Sequence, residues 1–190
     1  MEELAARGSA ILASVAYSDG LCDSVGRARV REKFSPELKA ALVTMKRTTW
    51  HPRAMWIEVL RAVVSVHNEP GASHADLIGC GKAICEDAAS TFMKLLLKMM
   101  TPRLFARKFP DFWVRDMRGG IMSVDPSDLA KNRFVVFLED VEGFDHVGPA
   151  GVGFIGFAME KITGGHVDIV VSPWSLERPG PAKIRWDVSW

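Results

Sequence analysis

The sequence predicts an α+β fold: an N-terminal helical layer packed on a C-terminal twisted, mainly antiparallel sheet of about four strands, with a helix between the strand pairs. Three observations predict it. The last eight residues, Lys183 to Trp190, alternate, with Ile184, Trp186 and Val188 on one side and Lys183, Arg185 and Asp187 on the other. A period of two describes a strand with one buried face. Gly151 to Ile162 is apolar and too long for a strand, and it stands between the β-branched runs Arg133 to Glu139 and His166 to Val171. Before residue 118 the apolar residues recur instead at helical spacing, as in Met55, Val59, Val63 and Val66.

Taken in order, Gly8 to Tyr17 is a short apolar segment compatible with helix or strand, closed by the turn-like Ser18-Asp-Gly20. Leu21 to Phe34 carries Arg27, Arg29, Arg31 and Lys33 at alternating positions, which suits a strand but offers few apolar partners. Ser35-Pro36-Glu37 is a helix start, with a capping serine, proline at the first helical position and an acid in the first turn. That helix is expected over Pro36 to about Met45. Pro52 opens a second helix, which Pro70-Gly71 ends. Ser73 with Asp76 resembles a capping box and starts a long helix that reaches toward Met100. Its stripe is Leu77, Ile84, Ala88, Phe92, Leu95 and Met99, widened by Ile78, Cys85, Met93 and Leu96. Gly79 and Gly81 interrupt it, which predicts close approach of another element. Thr101-Pro102 starts a helix to about Lys108, Phe109 to Trp113 reads as an aromatic turn, and a strand near Gly120 to Val124 is expected to pair with Arg133 to Glu139.

One domain, 1–190, is expected, with 1–118 mainly helical and 119–190 built of sheet plus helix. At 190 residues the chain is long enough for a sizeable core. Its formal net charge of +1 points to neither nucleic acid nor membrane. No run is long enough to span a bilayer, no signal peptide is read, and Cys22, Cys80 and Cys85 form no CxxC. These features predict a reducing, cytoplasmic setting.

The candidate chemistry is sparse. No two of His51, His67, His74, His146 and His166 have the i, i+4 spacing of paired ligands, so no metal site is read. Asp145-His146 could be an acid/base pair, but no serine or cysteine nucleophile is placed by a motif to use it, and a solvated loop explains it better. Gly148 to Gly156 lacks the lysine and the strand-loop-helix setting of a phosphate loop. Lys94 to Arg118 is locally basic, with Asp111 and Asp116 in opposition and Phe105, Phe109, Phe112 and Trp113 interleaved. A solvated helix face over aromatic packing accounts for it better than a nucleic-acid surface. Glu139, Asp140, Glu142 and Asp145 form an acidic cluster that could answer it within the chain or across a dimer. No catalytic constellation is found, and no enzymatic activity is predicted.

Arg7-Gly-Ser-Ala-Ile-Leu-Ala-Ser-Val15, Trp50-His-Pro52, Thr101-Pro-Arg-Leu-Phe105 and the ending Ile184-Arg-Trp-Asp-Val-Ser-Trp190 resemble a paralogous myxobacterial family of unknown function. At greater distance the order of elements is similar to the haem nitric-oxide-binding (H-NOX) domains, the 4-vinyl reductase small-molecule-binding domain and trafficking-particle subunits. That resemblance implies a helical layer and a sheet enclosing an apolar cavity. Fold does not fix function. In H-NOX domains a histidine ligates iron about two turns before a Tyr-Pro. The matching place here precedes Phe109-Pro110, and Thr101 to Phe109 contains no histidine. The Tyr-x-Ser-x-Arg element that holds the haem propionates falls on Phe137-Leu-Glu-Asp-Val141. No haem and no other cofactor is therefore expected. The trafficking-particle likeness also implies a helix cysteine open to acylation, for which Cys85 stands in the place; a buried inert thiol is the simpler expectation.

The reading that follows is a sensory or binding module that holds a small apolar ligand and signals through a protein partner, as a homodimer. A scaffold whose interior is filled by its own side chains is the other possibility. The ligand pocket is expected between the helix from Ser73, the helix from Pro52 and the buried sheet face. Its lining would be Trp56, Cys85, Phe92, Met93, Leu96 and Phe137, with Phe154 closing one side.

Overall fold

The computed structural model describes residues 4–66, 70–88, 97–139, 146–172 and 183–190. The larger sheet has strand order β4-β5-β7-β6, from Ile121–Asp125 (β4), Arg133–Glu139 (β5), Asp168–Ser172 (β6) and Lys183–Ser189 (β7), antiparallel throughout. The predicted pairing of β4 with β5 is present. Register sets the phase of β5. Val136 lies opposite Trp186 and Leu138 opposite Ile184, and all four are buried. Directly paired side chains share a face. Phe137, opposite Arg185, therefore lies on the outer face with the charged row of β7.

Helix α7 (Val147–Thr163) covers the inner face and packs on β6 and β7. It begins four residues earlier than the sequence suggested and takes Pro149 into its first turn, where a missing N–H costs no helical bond. Gly164, at φ +71°, ends it in the left-handed conformation that favours glycine. Against α7 lies α5 (Pro70–Ala88), and against α5 lie α1 (Gly8–Gly20) and α4 (Arg53–Val64). Pro70 opens α5 rather than breaking the chain, three residues before the expected Ser73 start. The remainder of the long helix toward Met100 falls on 89–96, outside the described residues. So do Phe92, Met93 and Leu96.

The close approach predicted from the glycines of α5 is realised. A Cβ on Gly81 would stand 1.7 Å from the Ala150 carbonyl oxygen, and one on Gly153 would stand 1.8 Å from that of Ile78. Backbone thus meets backbone where α5 crosses α7, and no side chain fits between.

Three readings are corrected. The basic stretch Leu21 to Phe34 is a helix, α2 (Ser24–Glu32), because Asp23 caps it by accepting from the Gly26 N–H at 2.7 Å and only Val30 has a core to reach. Helix α3 (Pro36–Thr44) is as expected, with Ser35 accepting from the Leu38 N–H. The aromatic turn does not exist: α6 runs from Pro102 through Pro110 to Asp116. An interior proline costs about 3 kcal/mol. Phe105, Phe109, Phe112 and Trp113 recur at helical spacing on one face and bury enough surface to offset it. Last, a second antiparallel sheet, order β2-β1-β3, was not foreseen. Its strands, Ala5–Arg7 (β1), Trp50–Pro52 (β2) and Met117–Arg118 (β3), are too short to show a period.

Candidate functional site

Where α1, α4, α5, α6, α7 and the sheet meet, the packing leaves a cavity of about 70 Å³. Trp56 comes from α4, Phe109, Phe112 and Trp113 from α6, Phe154 and Ile155 from α7, and Trp186 from β7; Met117 and Met122 complete one wall. Only apolar atoms are exposed to its interior. The indole N–H groups are engaged elsewhere. Trp56 Nε1 donates to Ser14 Oγ at 3.1 Å, Trp186 Nε1 to the Gly148 carbonyl at 2.8 Å, and Trp113 Nε1 to the Gly119 carbonyl at 3.2 Å. Among the described residues Asp116 is the one acid of the lining, and its carboxylate accepts twice from Arg115, at 3.0 and 2.5 Å. A site so built excludes water and makes dispersion contacts.

Local rules place each wall. Trp186 is buried because its strand alternates, and Gly151 lies under its ring, where a Cβ would come within 2.5 Å. Phe154 stands edge-on to Phe109, ring centroids 6.2 Å apart. Arg53, buried at the head of α4, donates from Nη1 to the Gly119 carbonyl at 3.1 Å, and the turn between β3 and β4 is held by this bond and that from Trp113. Burial lowers the pKa of the guanidinium.

Of the expected lining, Trp56 and Phe154 share this cavity. Cys85 lines a smaller neighbouring void of about 20 Å³, and Phe112 and Phe154 border both voids. Phe137 is not in the lining. It lies on the solvent side of the sheet, under the Lys183 Nζ at 4.5 Å and near the Arg185 guanidinium at 5.8 Å. Phe92, Met93 and Leu96 lie outside the described residues. The sequence missed Phe109, Phe112 and Trp113, which had been assigned to a turn; their i, i+3, i+4 spacing was the available signal.

Both interior thiols are held protonated. Burial pushes Cys80 up to about 12, against a hydrogen bond with Ser14 that lowers it. Burial likewise pushes Cys85 up to about 12, with Arg115 pulling the other way. Neither is a thiolate nucleophile or ligand near neutrality. Among the described residues no cluster of three histidine, cysteine or acidic side chains could hold a metal ion, and no helix is long and apolar enough to cross a membrane.

No family model and no curated protein matches this chain. Solved structures do. A mutant H-NOX protein from K. algicida, in the unliganded Fe(II) state, superposes with a TM-score of 0.72 at 9% identity, covering 96% of this chain and 95% of that one. An H-NOX protein from S. oneidensis in the Fe(II)NO ligation state gives 0.68 at 10% identity over 96% and 98%. The unliganded Fe(II) H-NOX protein from K. algicida gives 0.61 at 10% over 96% and 95%. The iron group of such proteins does not fit the residues present here. Among the described residues the cavity lining has no histidine, cysteine or tyrosine, and its thioethers are weak ligands. Its 70 Å³ falls below the roughly 150 Å³ that accommodates benzene, itself far smaller than a tetrapyrrole. This chain has the H-NOX-like α+β fold, with an apolar void that is too small for a porphyrin and whose lining, among the described residues, offers it no strong axial ligand.

Proposed function

We propose that this chain is a non-enzymatic sensory module that binds one small apolar molecule in its central cavity and reports through a protein partner. The observation that carries the reading is the cavity itself: walled largely by aromatic, aliphatic and thioether side chains, with only apolar atoms facing inward. Methionine and phenylalanine walls reshape around an apolar guest at low cost. Trp56, Cys85 and Phe154 are the residues of the expected lining assigned to this interior, the first and last in contact with the guest and Cys85 in the neighbouring void that Phe112 and Phe154 also border. The protein takes no haem, works in the cytoplasm and pairs with a second copy.

Native mass spectrometry of the purified protein tests this. A bound species of low mass, released by denaturation, is expected. A protein that carries the mass of the bare chain, and that takes up no added small hydrocarbon, would instead support the scaffold with a filled interior.

A further inference from the structure

The outer face of α6 combines exposed cations, exposed apolar side chains and a groove beside them. Lys98, Arg103, Arg107 and Arg118 are exposed, and no acid among the described residues pairs with them. The two acids of the stretch are both taken, Asp111 by Lys108 at 3.0 Å and Asp116 by Arg115 at 2.5 Å. Elsewhere some exposed cations are matched, Arg31 with Asp19, Arg47 with Asp87, Lys183 with Glu139 and Arg185 with Asp187, while others, such as Arg27 and Arg29 on α2, are exposed without an ion pair among the described residues. Large apolar side chains are exposed along the same stretch, with Met99 at 75%, Val114 at 65% and Ile121 at 59%.

These groups are ordered. Arg103, Arg107, Pro110 and Val114 follow at i, i+4, i+7 and i+11, one stripe along a 15-residue helix about 22 Å long. The stripe runs into a surface groove of about 280 Å³ between α6 and β3–β4, bordered by Pro110, Val114, Met117 and Ile121. Arg118 edges the groove, and its guanidinium is stacked 4.3 Å over the Trp50 ring, which holds it in place.

We propose that this face docks an acidic amphipathic helix of a partner protein, its carboxylates one turn apart against Arg103 and Arg107 and an apolar side chain in the groove beyond Pro110. The argument is charge complementarity together with shape. Cations spaced by one helical turn match carboxylates spaced the same way on a second helix. The groove separates this occupant from an anionic bilayer, which has no side chain to fill a concavity, and from nucleic acid, which has no use for an apolar slot. The proposal deepens the partner half of the functional reading and rests on it there only. An empty cavity would leave it standing.

The test uses the full chain and a fluorescent helical peptide bearing two glutamates at i, i+4 and a leucine two turns further on, followed by anisotropy. Saturable binding is expected, weakened about tenfold when salt rises from about 50 to about 300 mM. A charge-reversed variant, R103E with R107E, should lose about tenfold or more, and Val114→Asp should weaken binding with little change in salt dependence. All three positions are exposed, and thermal melts of the variants matching the parent show that the fold is intact. Absence of peptide binding, or binding equal in the parent and the charge-reversed variant, overturns the proposal. So does preferential binding to phosphatidylserine vesicles or duplex DNA, or loss of self-association in the variants without loss of peptide affinity.

Discussion

Phe154→Ala is the perturbation that the interior predicts most closely. The ring, together with that of Phe112, borders both a void of about 70 Å³ and one of about 20 Å³. Its removal joins them and adds the volume of the ring, which brings the space to the order of the 150 Å³ that holds benzene. Truncating a buried phenylalanine costs about 3–5 kcal/mol, with each cubic ångström of residual cavity contributing about 24 cal/mol. Phe154 is half-buried and already borders empty space, so it starts from fewer contacts; a loss near about 3 kcal/mol is expected. Urea unfolding followed by tryptophan fluorescence measures this, with the m-value as a check that the unfolded state has not changed. Benzene should then restore part of the loss in the variant, by up to about 2.7 kcal/mol if its concentration reaches one hundred times Kd, and do little for the parent protein. A cost below about 1 kcal/mol, or no response to benzene in the variant, would refute the reasoning, since it would mean that the Phe154 ring does not border both voids.

Three further outcomes follow from the same interior. Cys80 and Cys85 keep their protons to about pH 12 in the fold, whereas an unfolded thiol loses its own near 9. Between those values the unfolded state binds fewer protons, so stability falls as pH rises, by about 1.4 kcal/mol per pH unit for each thiol, and Cys80→Ala should flatten that limb in urea melts at pH 8 to 11. Haem supplied during expression should give no stoichiometric Soret band, and one that vanished in a histidine variant would contradict the misfit described above. Sedimentation at micromolar concentration should show a dimer; a monomer without concentration dependence would exclude the pairing.

The larger sheet and the helix across it were legible because one strand could be phased. Lys183 to Trp190 alternates cleanly, and its buried side, Ile184, Trp186 and Val188, is the inner face. Strand β5 could not be phased by itself, since Phe134 to Leu138 is apolar at every position. Phe137 was placed inward for that reason, although pairing β5 with β7 opposes it to Arg185. Long charged side chains cover its ring with their stems, so an aromatic residue on the outer face is no anomaly. The helix glycines were legible as points of close approach, because only contact explains two glycines within an apolar stripe. The cavity walls from α6 were not, since Pro110 carries a strong local signal for a break and tertiary burial outweighs it. The small sheet was not legible either: its strands of two and three residues hold together residues more than a hundred positions apart, as in Ala5 opposite Arg118.

The central claim is a dry apolar cavity built to take a guest, and xenon tests it most directly. In a crystal pressurised with xenon, one site should fill, among Trp56, Phe154 and Trp186, and Phe154→Ala should raise its occupancy. Xenon density confined to surface grooves, with those side chains in contact across an occupied core, would contradict the account.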